Sequence, residues 1–304
     1  MKILIWLTLC LIWGTTWIFI KIGLDEGLPP LTFAAARFVL ALIILAIIIF
    51  FGKIPLPVNK RQWKLLALTG VMQFSINYSL VFWSEQYISS GLAAVLQAMI
   101  MVFGLVLAWV HLPNERITGI KIAAVTLGIC GVAIIFIEQL QINSVLAFAG
   151  CIAIVVGAYA AAHGSILVKA HGGNLHPATL VFGQMICGIL PIIIYALTVE
   201  GNPLALNWSW KAVVSVLYLT IFGTITAFWL YYWLLNKIES TKAMMISLVT
   251  PLIAVIVGRI FLDEQLPLKI FFGGLLILAS IGLIVIKKKE KTAVIITKDS
   301  LPAD

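Results

Sequence analysis

The stretch YSLVFWSEQYISSGLAAVLQAMIMVFGLVLAWVHLPNERITGIKIAAVTLGICGVAIIFI, residues 78–137, decides how the rest of the chain is read. It is one apolar span, a short polar joint at Leu112-Pro113-Asn114-Glu115-Arg116, and a second apolar span. The layout returns in residues 227–286, around the joint Phe261-Leu262-Asp263-Glu264-Gln265. A slide of 149 residues lays Glu115 on Glu264, Ala94 on Ala243 and Gly131 on Ser280. Identity across that overlay is low, so what recurs is the spacing of spans and joint.

A chain of 304 residues that is 62% hydrophobic and 11% charged cannot hide its apolar surface in one water-soluble core. With a mean hydropathy of +1.12 it belongs in a lipid bilayer. The formal charge of +8 could point to nucleic acid, but a basic face needs room outside the apolar runs, and most of these charges flank such runs. The excess is read as orientation and headgroup contact, with no nucleic-acid partner. Cys10, Cys130, Cys151 and Cys187 fall inside apolar runs at no metal or redox spacing, and read as small buried residues. The opening Met1-Lys2 and apolar Ile3–Trp13 resemble a signal peptide. No small-x-small cleavage site follows, however, and the run continues to Gly23, so an uncleaved first span is expected. The longest polar connection, residues 52–64, has 13 residues and leaves no room for a soluble domain.

Apolar runs bounded by Pro, Gly or charge predict ten spans: 3–23, 31–51, 64–84, 92–111, 117–137, 145–169, 178–199, 211–236, 243–262 and 268–286. With the N-terminus inside, 14 Lys and Arg fall on the cytoplasmic side, against Lys21, Lys211 and Lys269 at outer ends. That asymmetry predicts both termini cytoplasmic in a cell (plasma or inner) membrane. Five spans per half make the second half enter from the opposite face, so the two are inverted copies of the kind seen in transporter folds. Pro30 and Arg37 stand 147 residues before Pro177 and Gln184, which echoes the repeat. The fold class is therefore an all-α integral membrane protein of ten transmembrane helices in two inverted five-helix repeats. The expected units are residues 1–142, 143–290 and a disordered cytoplasmic tail, 291–304.

These features together resemble the drug/metabolite transporter superfamily, specifically its ten-span members built from two EamA-type domains. The match is carried by Trp13-Gly14-Thr15-Thr16, by Pro30 with Ala36-Arg37-Phe38, by Gly91-Leu92-Ala93-Ala94, by Glu115, and by Gly128 with Gly131. In the second half it continues through Lys242-Ala243, Thr250-Pro251-Leu252, Asp263-Glu264 and Gly273-Gly274. Two departures stand out. The family commonly has Pro in the middle of the fourth span, where Met101-Val102 stands here, and its Leu-Gly-Glu joint reads Leu112-Pro113-Asn114-Glu115. The resemblance implies export or exchange of small metabolites, typically amino acids or related compounds. Their path would be a central cavity lined by spans one, three, four, six, eight and nine.

All twelve carboxylates lie in joints, tails or span ends, which weakens any proton mechanism built on a buried acid. His163, near the middle of the sixth span, is the one central group that titrates near neutral pH. It is read either as a solute or proton contact or as a neutral ring bonded to a helix carbonyl. The match of Arg37 to Gln184 argues for a structural, carbonyl-capping role over solute binding, the alternative for a charge inside a span. Polar side chains inside spans must face another helix or a wet cavity. Thr16, Asn77, Gln97, Ser247 and Thr250 come from spans that the resemblance sends to the cavity, and are candidate solute contacts. Trp17, Tyr78, Tyr159 and Trp229 lie too deep for an interfacial belt and join them, together with His163. Pro251 is a candidate hinge or packing kink. An apolar, aromatic-walled pocket suits a neutral, zwitterionic or aromatic solute better than a nucleotide-sugar, whose diphosphate wants several cations. The chain thus reads as a secondary transporter acting as a monomer or homodimer, with a small-molecule solute and the lipid bilayer as partners. No cofactor, no metal and no catalytic residue are expected. A channel is the rival class. A membrane enzyme would rest on His171, His176 and Lys169 alone.

Overall fold

The computed structural model describes residues 1–84, 86–88, 90–137, 144–262 and 268–286, and among them the chain is helical with no strand. In chain order the helices are α1 (Lys2–Asp25), α2 (Pro30–Phe51), α3 (Lys60–Ser84), α4 (Ser90–Gln97), α5 (Ile100–His111) and α6 (Gly119–Ile135). There follow α7 (Val145–His171), α8 (Pro177–Glu200), α9 (Trp210–Leu235), α10 (Ser240–Met244), α11 (Ile246–Leu262) and α12 (Leu268–Ile286). Six of these, α1, α2, α3, α7, α8 and α9, are long and apolar enough to cross a membrane. The other apolar runs form shorter helices. The expected joint at Asp263-Glu264, the boundary near 142 and the tail 291–304 lie outside the described residues.

Helices form here because hydrocarbon offers the backbone no partner, so each segment must bond its own N–H and C=O groups. The ends are closed locally. Asn59, Thr118, Ser144 and Ser209 accept from the backbone N–H of Gln62, Lys121, Ala147 and Ala212, while Pro30 and Pro177 occupy first-turn positions where no N–H is needed.

The two halves share irregularities as well as order. Inside α3 and α9 the hydrogen-bond register widens to π over Val71–Asn77 and Ile221–Thr226. α4 stops at Gln97 and α5 resumes at Ile100, just as α10 stops at Met244 and α11 resumes at Ile246. No proline causes either break: Met101 N–H bonds the Ala98 carbonyl and Leu248 N–H the Met245 carbonyl, tightening the chain by one residue at each. The helix runs through Pro251, the candidate hinge, and its interruption falls at Met245 instead. The carbonyl that Pro251 leaves unbonded, that of Ser247, accepts from Thr250 Oγ1 at 3.4 Å.

Contacts between helices also come in exchanged pairs. α1 packs on α11 and α9, and α7 packs on α5 and α3; α3 lies against α8, and α9 against α2; α6 and α12 lie against each other. Small residues permit the closest crossings. A Cβ on Gly70 would sit 2.2 Å from the Gln184 carbonyl oxygen, and one on Gly273 2.5 Å from that of Gly131. Cys10 and Cys151 are buried as expected, whereas Cys130 is exposed, on the outer side of α6.

Candidate functional site

Between the halves lies a cavity of about 190 Å³, room for roughly a dozen water-sized positions. Its walls come from the spans named by the resemblance (α1, α3, α4 with α5, α7, α9, α10 with α11) and from α2, which contributes Arg37. Helical phase explains the lining. Trp13, Thr16, Trp17 and Ile20 follow the three-and-four spacing of one face of α1, while Gln73, Asn77 and Val81 descend α3 in steps of four. Ser247 and Thr250 face inward from the first turn of α11, beside the break at Met245.

The polar groups differ in how far they are satisfied. Thr16 Oγ1 donates to the Trp13 carbonyl at 2.7 Å and Ser247 Oγ to the Met244 carbonyl at 2.9 Å, so both hydroxyls still offer acceptor lone pairs. Gln97 Nε2 donates to Asn77 Oδ1 at 3.1 Å, tying α4 to the π segment of α3, while the buried Gln97 Oε1 has no partner. Arg37 is the single charged side chain among the described residues that line the cavity. Its guanidinium carbon lies 4.6 Å from the centre of the Phe38 ring and 5.1 Å from that of Tyr78, and its hydrogen-bond partner is the Tyr78 hydroxyl at 3.4 Å. Among the described residues it caps no carbonyl, contrary to the role its match to Gln184 suggested, and its Nε is buried without a partner.

Of the residues singled out in the sequence, Thr16, Trp17, Asn77, Tyr78, Gln97, Ser247 and Thr250 are brought together here. Tyr159, His163 and Trp229 are not. Tyr159 and His163 are two residues from Ala161, which does line the cavity; two residues turn a helix by about 200°, so both face away. Tyr159 is 41% exposed and packs against Phe103 and His163, and the His163 ring lies 5.4 Å from that of His111. His163 Nδ1 has no partner, so the carbonyl bond considered for it is not made through that atom. Trp229 stacks edge-on against His176 at 5.3 Å, away from the cavity face of α9 that Phe228 and Tyr231 supply. Depth in a span selected these three, and depth does not report the face. Phase would have recovered Trp13, Gln73, Ser165 and Tyr231, each spaced three or four residues from a lining neighbour.

At the end of the bundle that carries Met1, polar side chains tie the helices to one another. Lys2 Nζ donates to the Lys237 carbonyl at 3.1 Å, and Trp6 Nε1 to the Lys242 carbonyl at 2.9 Å. At the joint after α5, the Glu115 carboxylate accepts from Ser240 N at 2.9 and 3.0 Å and from Ser240 Oγ at 2.5 Å, capping the start of α10. Lys169 Nζ, at the end of α7, lies 2.8 Å from the same carboxylate and also donates to the carbonyls of Leu235 and Ile238. Burial alone would raise the Glu115 pKa; the bonds from Lys169 and Ser240 outweigh it and hold the carboxyl below its ordinary value. One acidic side chain thereby ties the joint after α5 to the end of α7 and the start of α10.

The pattern of the EamA-like transporter family matches residues 1–137 and, a second time, residues 148–286. The chain belongs to the EamA-like transporter family. As a member of the drug/metabolite transporter superfamily with several membrane-crossing helices, this EamA protein is a multi-pass membrane transporter. Among its relatives is the uncharacterized transporter YoaV of Bacillus subtilis, 25% identical over 90% of this chain and 93% of that one. An uncharacterized transporter of Archaeoglobus fulgidus is 28% identical over 93% and 99%. The probable amino-acid metabolite efflux pump of Escherichia coli is 26% identical over 95% and 96%. A solved crystal structure shares the EamA protein's fold with a TM-score of 0.80, at 12% identity over 95% of this chain and 98% of that one.

Proposed function

We propose that the protein is a ten-helix secondary transporter for small metabolites of the amino-acid kind, meaning neutral, zwitterionic or aromatic solutes. Its repeats, residues 1–142 and 143–290, are inverted copies that rock about the central cavity and expose it to either side in turn. The carrying observation is the cavity itself: Thr16, Asn77, Gln97, Ser247 and Thr250, from both halves, turn polar groups into one space at a depth where hydrocarbon would reject them. The inverted reading is supported by the matching π segments, the matching breaks and the exchanged helix contacts. The solute class is supported by the aromatic walls and by the name of the Escherichia coli relative.

With both termini placed in the cytoplasm, the Glu115–Lys169–Ser240 node is the cytoplasmic closure, and its release opens the cavity inward. The drive is read as the solute's own gradient or exchange for a second solute, with at most weak proton coupling through His163; a described lining without a carboxylate is in keeping with this. Purified protein in liposomes tests the carrier: preloading with unlabelled amino acids accelerates entry of a labelled one. Uptake that rises with the gradient without saturation, and without counterflow, removes the carrier in favour of a pore.

A further inference from the structure

We propose that Arg37 is the anchor for a free carboxylate on the transported solute, and that the cavity therefore selects monocarboxylates with an apolar body over their amides, over amines and over phosphate esters. The inference rests on reading this cavity as the transport site. Arg37 is 2% exposed, and a guanidinium taken out of water needs an anion or a full set of acceptors. It has neither. Its Nε is unpartnered, its bond to the Tyr78 hydroxyl is long, and no ion pair among the described residues reaches it. The Phe38 and Tyr78 rings beside the guanidinium account for part of its stability through cation–π attraction, yet satisfy none of its N–H groups. What remains largely unbonded is a planar fork of donors, a shape that matches a carboxylate.

The other polar groups narrow the class. A second charge on the solute, as in a phosphate monoester, would find no second cation on the described lining. An amine without a carboxylate would meet a fixed positive charge and no acid. The unpartnered Gln97 Oε1 is an acceptor for one N–H or O–H, so a zwitterion completes both open groups: its carboxylate on Arg37 and its ammonium on Gln97. The carboxylate is required and the amine is an addition. The indole and phenol walls supplied by Trp13, Trp17 and Tyr78 fit an aromatic or large aliphatic body.

The test is calorimetric titration of the purified full-length wild type with phenylacetate, phenylacetamide, phenylalanine, phenylalaninamide, phenethylamine and inorganic phosphate. Phenylacetate and phenylalanine are expected to bind about ten-fold or more tighter than their amides, the loss of one charge-assisted pair. Phenethylamine and phosphate are expected to give no heat. Arg37→Gln is expected to erase the difference between acid and amide, and Arg37→Lys to keep part of it. Equal binding of acid and amide by the wild type, or an undiminished difference in a folded Arg37→Gln protein, overturns the proposal, as does failure of every probe to bind. Counterflow in liposomes separates the two readings. Discrimination without counterflow leaves Arg37 a carboxylate site and sinks the carrier; counterflow without discrimination keeps the carrier and sinks the anchor.

Discussion

Arg37 and Gln184 hold corresponding places, each seven residues after the proline that opens its helix, and the surroundings treat them in opposite ways. Gln184 is sealed: Nε2 donates to Thr69 Oγ1 at 2.7 Å, Oε1 accepts from Tyr232 at 2.6 Å, and the residue is fully buried. Its amide knits α8 to α3 and α9. Arg37 lines the cavity; its backbone carbonyl accepts from Thr220 Oγ1 at 3.1 Å, while its guanidinium has a single long hydrogen bond, to the Tyr78 hydroxyl. Matching positions in the sequence thus have unlike surroundings. Gln184 spends its polar atoms on neighbouring helices, whereas Arg37 on the cavity lining keeps most of its donors unbonded.

The contrast can be broken first at its sealed side. Gln184→Arg puts a charge where both polar ends were already matched, at a cost of about 3 kcal/mol or more, and should abolish the yield of monodisperse protein on size exclusion; normal yield would show that the pocket around Gln184 is not closed. Next in size, Glu115→Gln leaves the Lys169 ammonium without its partner, a loss of about 3 kcal/mol by the usual cost of breaking a buried pair, read as a lower melting temperature. Because the folded Glu115 pKa lies below its ordinary value, the wild type keeps this contribution at neutral pH and loses it as acid titrates the carboxyl through its lowered pKa. The variant should show no such step, and an identical acid profile for both proteins would detach Glu115 from the closure.

Asn77→Ala frees Gln97 from its bond to α3 and should slow transport about ten-fold, near 1.4 kcal/mol, with folded protein retained. Arg37→Gln should change stability by about 1 kcal/mol at most, and upward, because it removes an unpaired buried charge; a melting temperature well below that of the wild type would mean Arg37 is scaffold like its counterpart. Smallest of all, Trp229→Ala should leave liposome uptake within about two-fold, since the ring packs on His176 outside the cavity. A larger transport defect would bring that face of α9 back to the solute path.

Much of the fold was legible because hydropathy and charge act on whole segments. The long apolar helices and the Glu115 joint stand where composition and spacing put them. The breaks were not legible, since Ala98–Met99 has no proline or glycine and the helix continues through Pro251. They depend on i+3 backbone bonds and on the Ser247 hydroxyl taking up the Met244 carbonyl, partners that only the folded chain supplies. The cavity lining divides the same way: Asn77 and Gln97 lie on it, and polarity inside a span is itself a signal, whereas Tyr159 and His163 share that depth but face away from it.

Residue order alone determined that this chain lives in lipid, that its second half echoes the first, and which polar side chains need a partner other than hydrocarbon. Only the tertiary structure decided which of them find that partner in a neighbouring helix and which are left facing the cavity. The reason is that burial from water is summed over every side of a helix, while a hydrogen bond or an open valence belongs to one side and to whatever is packed against it.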